Sequence, residues 1–137
     1  MTTARAFLGT FFHAPARDAV ETLEDTLVTV SAAGVIESVL RPGDPGREAA
    51  VAAAAHEGRL TRLAPGSYAL PGFVDLHIHA PQYPQLGTAL HHPLEVWLQK
   101  HTFPLEACYG DLGFAARSYG ALVGDLLAAG TTTALMF

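Results

Sequence analysis

Two histidines that stand two positions apart, His77 and His79, are the residues best suited to carry out chemistry in this sequence. They end a segment, Phe73–His79, in which apolar side chains alternate with others, as they do along a β-strand. Alternate residues of a strand project to the same side, with Cα atoms about 6.6 Å apart. Both imidazoles can therefore reach one metal ion, and neutral imidazole is a ligand of zinc and of its divalent neighbours.

A pair of imidazoles is by itself too small for a catalytic zinc centre, which uses about three protein ligands and keeps one position open for water. Asp75 shares the face of His77 and His79, and it favours the metal interpretation because a carboxylate near a ligand can orient or polarise the imidazole. Plainer interpretations remain open. The histidines would then be half-buried residues in ordinary hydrogen bonds, and Asp75 would form a turn or a structural hydrogen bond.

The segments after residue 70 predict a strand–helix–strand unit that would hold the pair. Pro104 is expected to end the first helix, while Asp111 suits the N-cap of a longer helix and Gly130 its C-terminal end. The predicted elements are a strand over 73–79, a loop over 80–92, a helix from Pro93 that carries Leu94, Trp97, Leu98 and His101, a helix over 111–130 and a strand over 131–137. This order of elements requires a parallel sheet.

Residues 1–69 have a different character and predict a small β-rich portion. β-Branched and aromatic residues form short runs that are separated by turn signals, and one Ala-rich run is typical of a helix. The predicted strands cover 6–12, 26–30 and 34–39, and the predicted helix covers 47–56. The sequence therefore predicts two portions, an N-terminal β-rich portion over 1–69 and a β/α/β segment over 70–137.

Composition excludes several classes of function. The chain has 8 Lys and Arg against 13 Asp and Glu, a formal net charge of −5, so no basic field attracts nucleic acid or an anionic membrane. The single Cys108 cannot form an internal disulfide, and the N-terminal residues lack the apolar core of a signal peptide, so a cytoplasmic location is expected. The length of 137 residues is far below the roughly 250 residues of an eight-stranded α/β barrel.

The segment Pro71–Ala80 resembles the first barrel strand of the amidohydrolase superfamily, in which a His-x-His pair binds metal at the C-terminal end of the strand. Three later segments, 80–84, 93–98 and 101–106, resemble more narrowly the guanine deaminase family. The resemblance implies an α/β fold class: the start of a TIM-like (β/α)8 metal-dependent hydrolase barrel, preceded by part of a small β-sandwich. The barrel would be incomplete in this chain.

The same resemblance implies roles for individual residues. His77 and His79 would bind one zinc ion per active site, and Gln82 would contact the purine, with His79 also close to the substrate. The implied reaction is hydrolytic deamination of guanine to xanthine and ammonia in purine catabolism, by a full-length enzyme that is a homodimer. The general acid/base Glu and the remaining ligands are expected beyond Phe137, so this chain is expected to be an N-terminal fragment or a truncation without turnover of its own.

Several alternatives remain open. The substrate would instead be cytosine, adenosine or a triazine, as for other deaminases and chlorohydrolases of the superfamily, or the chain would be an inert remnant. Gln82 taken alone also suits a solvated loop amide. Trp97 and Phe103 would form either a pocket wall or core, while Glu95 and Glu106 have no sequence reason to face the metal. The five other histidines are expected to be surface or packing residues.

Overall fold

The computed structural model describes residues 4–137, and these divide into two compact units, one that ends at Pro71 and one over Gly72–Phe137. The first three residues of the predicted 1–69 portion lie outside the described residues. The boundary between the units falls inside the Pro71-Gly72 turn signal. No helix within residues 4–137 is long and apolar enough to cross a membrane.

The first unit is built on a five-stranded sheet with one helix, α1. Strands β1, β2 and β3 form an antiparallel meander, and β4 and β5 both pair with β1 in parallel. The elements are β1 (Arg5–Ala16), β2 (Ala19–Val30), β3 (Ile36–Leu40), α1 (Arg47–His56), β4 (Leu60–Arg62) and β5 (Tyr68–Ala69). The helix has the bounds that the sequence predicts.

The first two strands are longer than their apolar runs indicate. β1 and β2 continue to the pair Ala16 and Ala19, so that the hairpin closes over only two residues, Arg17 and Asp18. The early part of β2 carries exposed acidic residues such as Glu24, and this hides its strand character in the sequence. The prediction that β2 begins at residue 26 is therefore wrong, because backbone pairing with β1 rather than apolar alternation sets the start of the strand.

The core of the first unit is small. Ala6, Leu8, Leu27 and Ala54 form one buried cluster between the sheet and α1. Arg47, the first residue of α1, is also buried, and its guanidinium donates to the backbone carbonyl of Asp25 at 2.5 Å and to the carboxylate of the same residue at 2.6 Å. A buried cation is tolerated where it is paired and hydrogen-bonded in this way.

The second unit carries a pair of parallel strands and a helical connection. The strands are β6 (Phe73–Ile78) and β7 (Thr131–Met136), and their parallel pairing confirms the prediction of a strand–helix–strand unit. Between them lie a 3₁₀ helix (Ala80–Gln85), α2 (Leu94–Trp97), a π-helical turn (Leu98–Thr102), α3 (Phe103–Ala107), a further 3₁₀ turn (Cys108–Gly110) and α4 (Leu112–Ala128). The Asp111 carboxylate accepts from the Gly113 N–H at 2.8 Å, so the predicted N-cap of α4 is confirmed.

Two sequence predictions in this connection are wrong. The segment over 80–92 is not a plain loop, because its first six residues form the 3₁₀ helix. Pro104 does not end a helix, because the helical path continues through α3 to Gly110. The π-helical turn explains the second error: Phe103 donates its N–H to the Leu98 carbonyl across a widened turn, and Pro104 then stands in the first turn of α3, where a missing N–H costs little.

Leu27→Ala tests the core of the first unit. Leu27 is fully buried, so truncation removes apolar contacts and leaves a cavity, and we expect a loss of about 2–5 kcal/mol in the free energy of unfolding. The matched control is Val20→Ala on the same strand, because Val20 is 75% exposed and its truncation should cost below about 1 kcal/mol. Chemical denaturation of the three proteins measures both values, and equal losses in the two variants would contradict this description of the core.

Candidate active site

The two imidazoles predicted to act together lie side by side at the carboxyl end of β6. His77 is within the strand and His79 comes directly after it, and the Nε2 atoms of the two rings are 3.0 Å apart. The ring centroids are separated by 5.0 Å, and both side chains are exposed. The two-residue spacing therefore produces the shared orientation that a strand requires.

The separation of the two nitrogens suits shared coordination of one ion. Two nitrogen ligands at zinc–nitrogen distances of about 2.0–2.1 Å and a tetrahedral angle lie about 3.3 Å apart. The observed 3.0 Å between His77 and His79 is within a few tenths of an ångström of that value. Within residues 4–137, no group of three or more histidine, cysteine or acidic side chains is arranged to hold a metal. The described residues thus include two imidazoles whose separation suits zinc.

Phe137 packs against both imidazoles. Its ring centroid is 5.1 Å from that of His77 and 5.7 Å from that of His79, and it is stacked on the second at 28°. Backbone hydrogen bonds hold it there: Phe137 donates to the Ile78 carbonyl at 2.7 Å, and its own carbonyl accepts from Ala80 at 3.2 Å. The pairing of β6 with β7 therefore gives the two imidazoles an aromatic neighbour.

Asp75 contacts the backbone of the histidine segment. Its Oδ1 accepts from the His77 N–H at 3.0 Å, across the single intervening residue. The sequence left open whether Asp75 orients an imidazole or forms a structural hydrogen bond. The structure contains a structural hydrogen bond. This bond constrains the backbone between Asp75 and His77.

Gln82 lies on the 3₁₀ helix that comes after the strand. Its backbone N–H donates to the His79 carbonyl at 2.9 Å, which fixes the chain immediately after the second histidine. The Gln82 side chain borders a cavity of about 260 Å³. Histidines 77 and 79 line the same cavity, together with Tyr83, Leu86 and Leu122. The structure thus brings together all three site residues that the sequence singles out.

Glu106 meets Gln82 from α3. The Gln82 Nε2 donates to the Glu106 Oε1 at 3.1 Å, and both side chains are half-buried. The two residues are 24 positions apart, and the sequence offered no reason to join them. Glu106 thus reaches the residue predicted to contact the substrate, while it is absent from the lining of the cavity beside the two histidines.

Comparison with known proteins agrees with this geometry. The model of the amidohydrolase family matches residues 68–137, which is more than half of the chain and includes both imidazoles, Gln82 and Glu106. The chain belongs to the amidohydrolase family. Members of this family are generally metal-dependent hydrolases.

This amidohydrolase chain is similar to guanine deaminases. It is 35% identical over 136 residues to a probable guanine deaminase of Schizosaccharomyces pombe and 36% identical over 134 residues to guanine deaminase of Homo sapiens, with 98% of this chain covered in each case. A crystal structure of guanine deaminase from C. acetobutylicum, with guanine bound in its active site, superposes with a TM-score of 0.74 at 28% identity over 98% of this chain. The sequence-based resemblance is thereby confirmed.

The relatives are much longer than this amidohydrolase chain. The chain spans 26% of the S. pombe protein, 29% of the human protein and 30% of the C. acetobutylicum chain. Its mixed α/β structure therefore corresponds to a part of a guanine deaminase, and activity and substrate are properties of a whole protein of that kind.

Other predicted residues lie away from the imidazole pair of this amidohydrolase. The Trp97 indole N–H donates to the Thr88 carbonyl at 2.9 Å, and neither Trp97 nor Phe103 lines the cavity beside the two histidines. The His92 ring packs at a tilt against His91 and is stacked on His101, with centroid separations of 4.2 and 5.7 Å. Desolvation, and then the nearby charges of His91, Lys100 and His101, lower the pKa of His92.

Tyr83 is a site residue that the sequence analysis missed. It lines the cavity next to Gln82, and its hydroxyl donates to the Asp125 carboxylate on α4. This hydrogen bond is the main reason why the pKa of Tyr83 is raised, followed by desolvation and the negative charge of Asp125. Its position directly after Gln82 was the one available signal, but Asp125 is 42 residues away and no local pattern joins them.

Asp125→Asn tests this contact through the pKa of Tyr83. Removing the carboxylate should lower the pKa of Tyr83 towards the ordinary tyrosine value of about 10, because the neutral phenol loses its charged acceptor. The stabilising effect of the bond is present at lower pH and is lost as the pH rises through the raised pKa. Phenolate absorbance measured against a Tyr83→Phe reference isolates this residue. Asp44→Asn in the first unit is the control and should leave the pKa of Tyr83 unchanged.

Proposed function

We propose that this chain is part of a zinc-dependent enzyme that deaminates guanine hydrolytically. Guanine and water would give xanthine and ammonia, with the exocyclic C–N bond broken and the new oxygen supplied by water. The observation that carries the proposal is the convergence of His77, His79 and Gln82 on one cavity at the end of β6. The similarity to guanine deaminases over 98% of the chain supports the choice of substrate.

His77 and His79 would hold the metal through their Nε2 atoms, whose 3.0 Å separation fits zinc. When bound, zinc supplies Lewis-acid activation of water near neutral pH. The chain's own residues orient the imidazoles. Phe137 packs against both rings, and the Asp75 carboxylate accepts from the backbone N–H of His77.

Gln82 would bind the purine. A glutamine amide offers both a donor and an acceptor, and guanine presents both kinds of group along its edge. A site that hydrogen-bonds its substrate discriminates more strongly than an apolar pocket, since a wrong substrate leaves buried polar groups unpaired. His79 borders the same cavity and would also lie near the substrate.

Residues outside this chain would complete the site. A catalytic zinc centre uses about three protein ligands, and the reaction also needs a group that transfers protons. The described residues supply two imidazoles, and the chain spans 26–29% of its yeast and human relatives. We therefore expect the remaining ligands and the general acid/base Glu to come from the rest of the full-length protein, and the 137-residue chain alone to be inactive.

The architecture fits the same proposal. The parallel pair β6 and β7 with its helical connection would be the first β/α/β segment of a (β/α)8 barrel, over residues 70–137. The sheet over residues 1–69 would be part of a small β-sandwich. A homodimeric full-length enzyme in the cytoplasm, active in purine catabolism, remains an expectation that comes from this assignment.

An assay of the full-length gene product tests the substrate. We expect the zinc-loaded protein to convert guanine to xanthine with release of ammonia, and to do so in preference to cytosine, adenine and S-adenosylhomocysteine. The isolated 137-residue chain should show no turnover. Preference for another base would contradict the assignment to guanine, and activity of the isolated chain would contradict the incomplete site.

His77→Ala tests the metal assignment. Loss of one of two adjacent imidazoles should weaken zinc binding by the full-length protein about tenfold or more and reduce turnover in parallel. His91→Ala is the matched control, because His91 is an exposed histidine that packs against His92 and does not line the cavity. Competition for zinc with a chromophoric chelator measures the zinc affinity of both variants. Equal weakening in the two variants would contradict the proposed site.

A further inference from the structure

We propose that Glu106 is a positioning residue that sets the hydrogen-bond polarity of Gln82, and thereby selects a purine that presents an N–H to this glutamine. The inference rests on the proposed function. It adds a residue on α3 that determines which substrate the site prefers. It would leave the oxygen of the Gln82 amide free to accept a hydrogen bond from the substrate.

The direction of one hydrogen bond carries this role. The two ends of a glutamine amide have nearly the same size and shape, so packing alone does not decide which end faces a ligand. An ionised carboxylate contains only acceptors. The amide end within 3.1 Å of the Glu106 Oε1 must therefore be the Nε2 donor, and the Gln82 Oε1 is left to accept.

A second hydrogen bond holds the same two segments together. Gln85, at the end of the 3₁₀ helix, donates from its Nε2 to the Thr102 Oγ1 at 2.8 Å. Gln85 is 7% exposed and Thr102 only 1%, so this contact is shielded from water. The helix that carries Gln82 and the helical segment that carries Glu106 are thus joined at two points, and the carboxylate has a fixed place from which to act.

The π-helical turn accounts for the position of Glu106. A π turn contains one residue more than an α turn, and one residue rotates the helix beyond it by about 100°. The turn over Leu98–Thr102 lies directly before α3, so it sets the face on which Glu106 projects. Without it, the carboxylate would point away from its present direction and would lose Gln82.

The orientation of the Gln82 amide affects which purine the site binds, because guanine and adenine differ in their hydrogen-bonding groups. Guanine carries N–H donors at N1 and at its 2-amino group, whereas the N1 of adenine is an acceptor. If the Gln82 oxygen faces the cavity, it would accept from the N–H groups of guanine and would oppose the N1 lone pair of adenine. Such a mismatch leaves a polar group unpaired, which is the kind of penalty that separates similar substrates strongly.

A double-mutant cycle in the full-length enzyme tests this role, with Glu106→Gln, Gln82→Ala and the double variant. Glu106→Gln should lower kcat/KM for guanine about tenfold, mainly through KM, because an amide at position 106 accepts either orientation of Gln82. The inhibition constant of adenine should stay the same or decrease, which means unchanged or tighter binding of adenine. In the Gln82→Ala background the second substitution should have no further effect, within about twofold.

Two further variants separate positioning from folding. Glu106→Asp keeps an acceptor-only group and should recover part of the activity that Glu106→Gln loses. Glu95→Gln, at an exposed acid on α2, is the matched control and should stay within about twofold of the wild type. If Glu106→Gln does not fold, Glu106→Ala, which also removes the acceptor, and its combination with Gln82→Ala supply the cycle.

The outcomes distinguish this inference from the proposed function. A wild-type protein without guanine turnover would overturn the proposed function and this inference with it. Wild-type turnover, with losses at Glu106 and Gln82 that simply add, would overturn the positioning role alone. Equal weakening of guanine and adenine in Glu106→Gln would do the same, because it would mean a general loss of structure rather than a lost polarity.

Discussion

The parallel pairing of β6 with β7 is the interaction on which the site depends. It holds the end of β6 extended, and only an extended backbone projects residues two apart to the same side. The Nε2 atoms of His77 and His79 lie 3.0 Å apart for this reason, and the paired chain continues to Phe137, which packs against both rings. If the register of this pairing shifted by one residue, Phe137 would no longer contact the two histidine rings, and this contact would no longer help to orient them.

The 3₁₀ helix directly after β6 is as important to the site as the strand itself. Because the chain turns at once into this helix, Gln82 and Tyr83 lie within four residues of His79 and border the same cavity. Each of these side chains is then held by a carboxylate from a later helix, Glu106 or Asp125. The local turn thus brings the functional groups to the cavity, and tertiary contacts orient them.

The parts of this arrangement that obey local rules could be predicted from the sequence. Alternation predicted the shared face of His77 and His79, and the residue types at the helix ends predicted the cap at Asp111. Pairings between distant residues could not be predicted. The contacts of Gln82 with Glu106 and of Tyr83 with Asp125 depend on how the helices pack. The helix continues past Pro104 because of a π-helical turn, which composition does not predict. The N-terminal extension of β2 was missed for a related reason, since its partner strand, and not its own apolar pattern, determines it.

The most direct test of the proposal that His77 and His79 bind one zinc ion is anomalous diffraction at the zinc edge from crystals of the full-length protein. We expect one strong peak within about 2.0–2.1 Å of the Nε2 atoms of both His77 and His79, with the Gln82 amide oxygen directed into the adjoining cavity. A zinc ion bound elsewhere, or one that contacts only one of these two imidazoles, would contradict it.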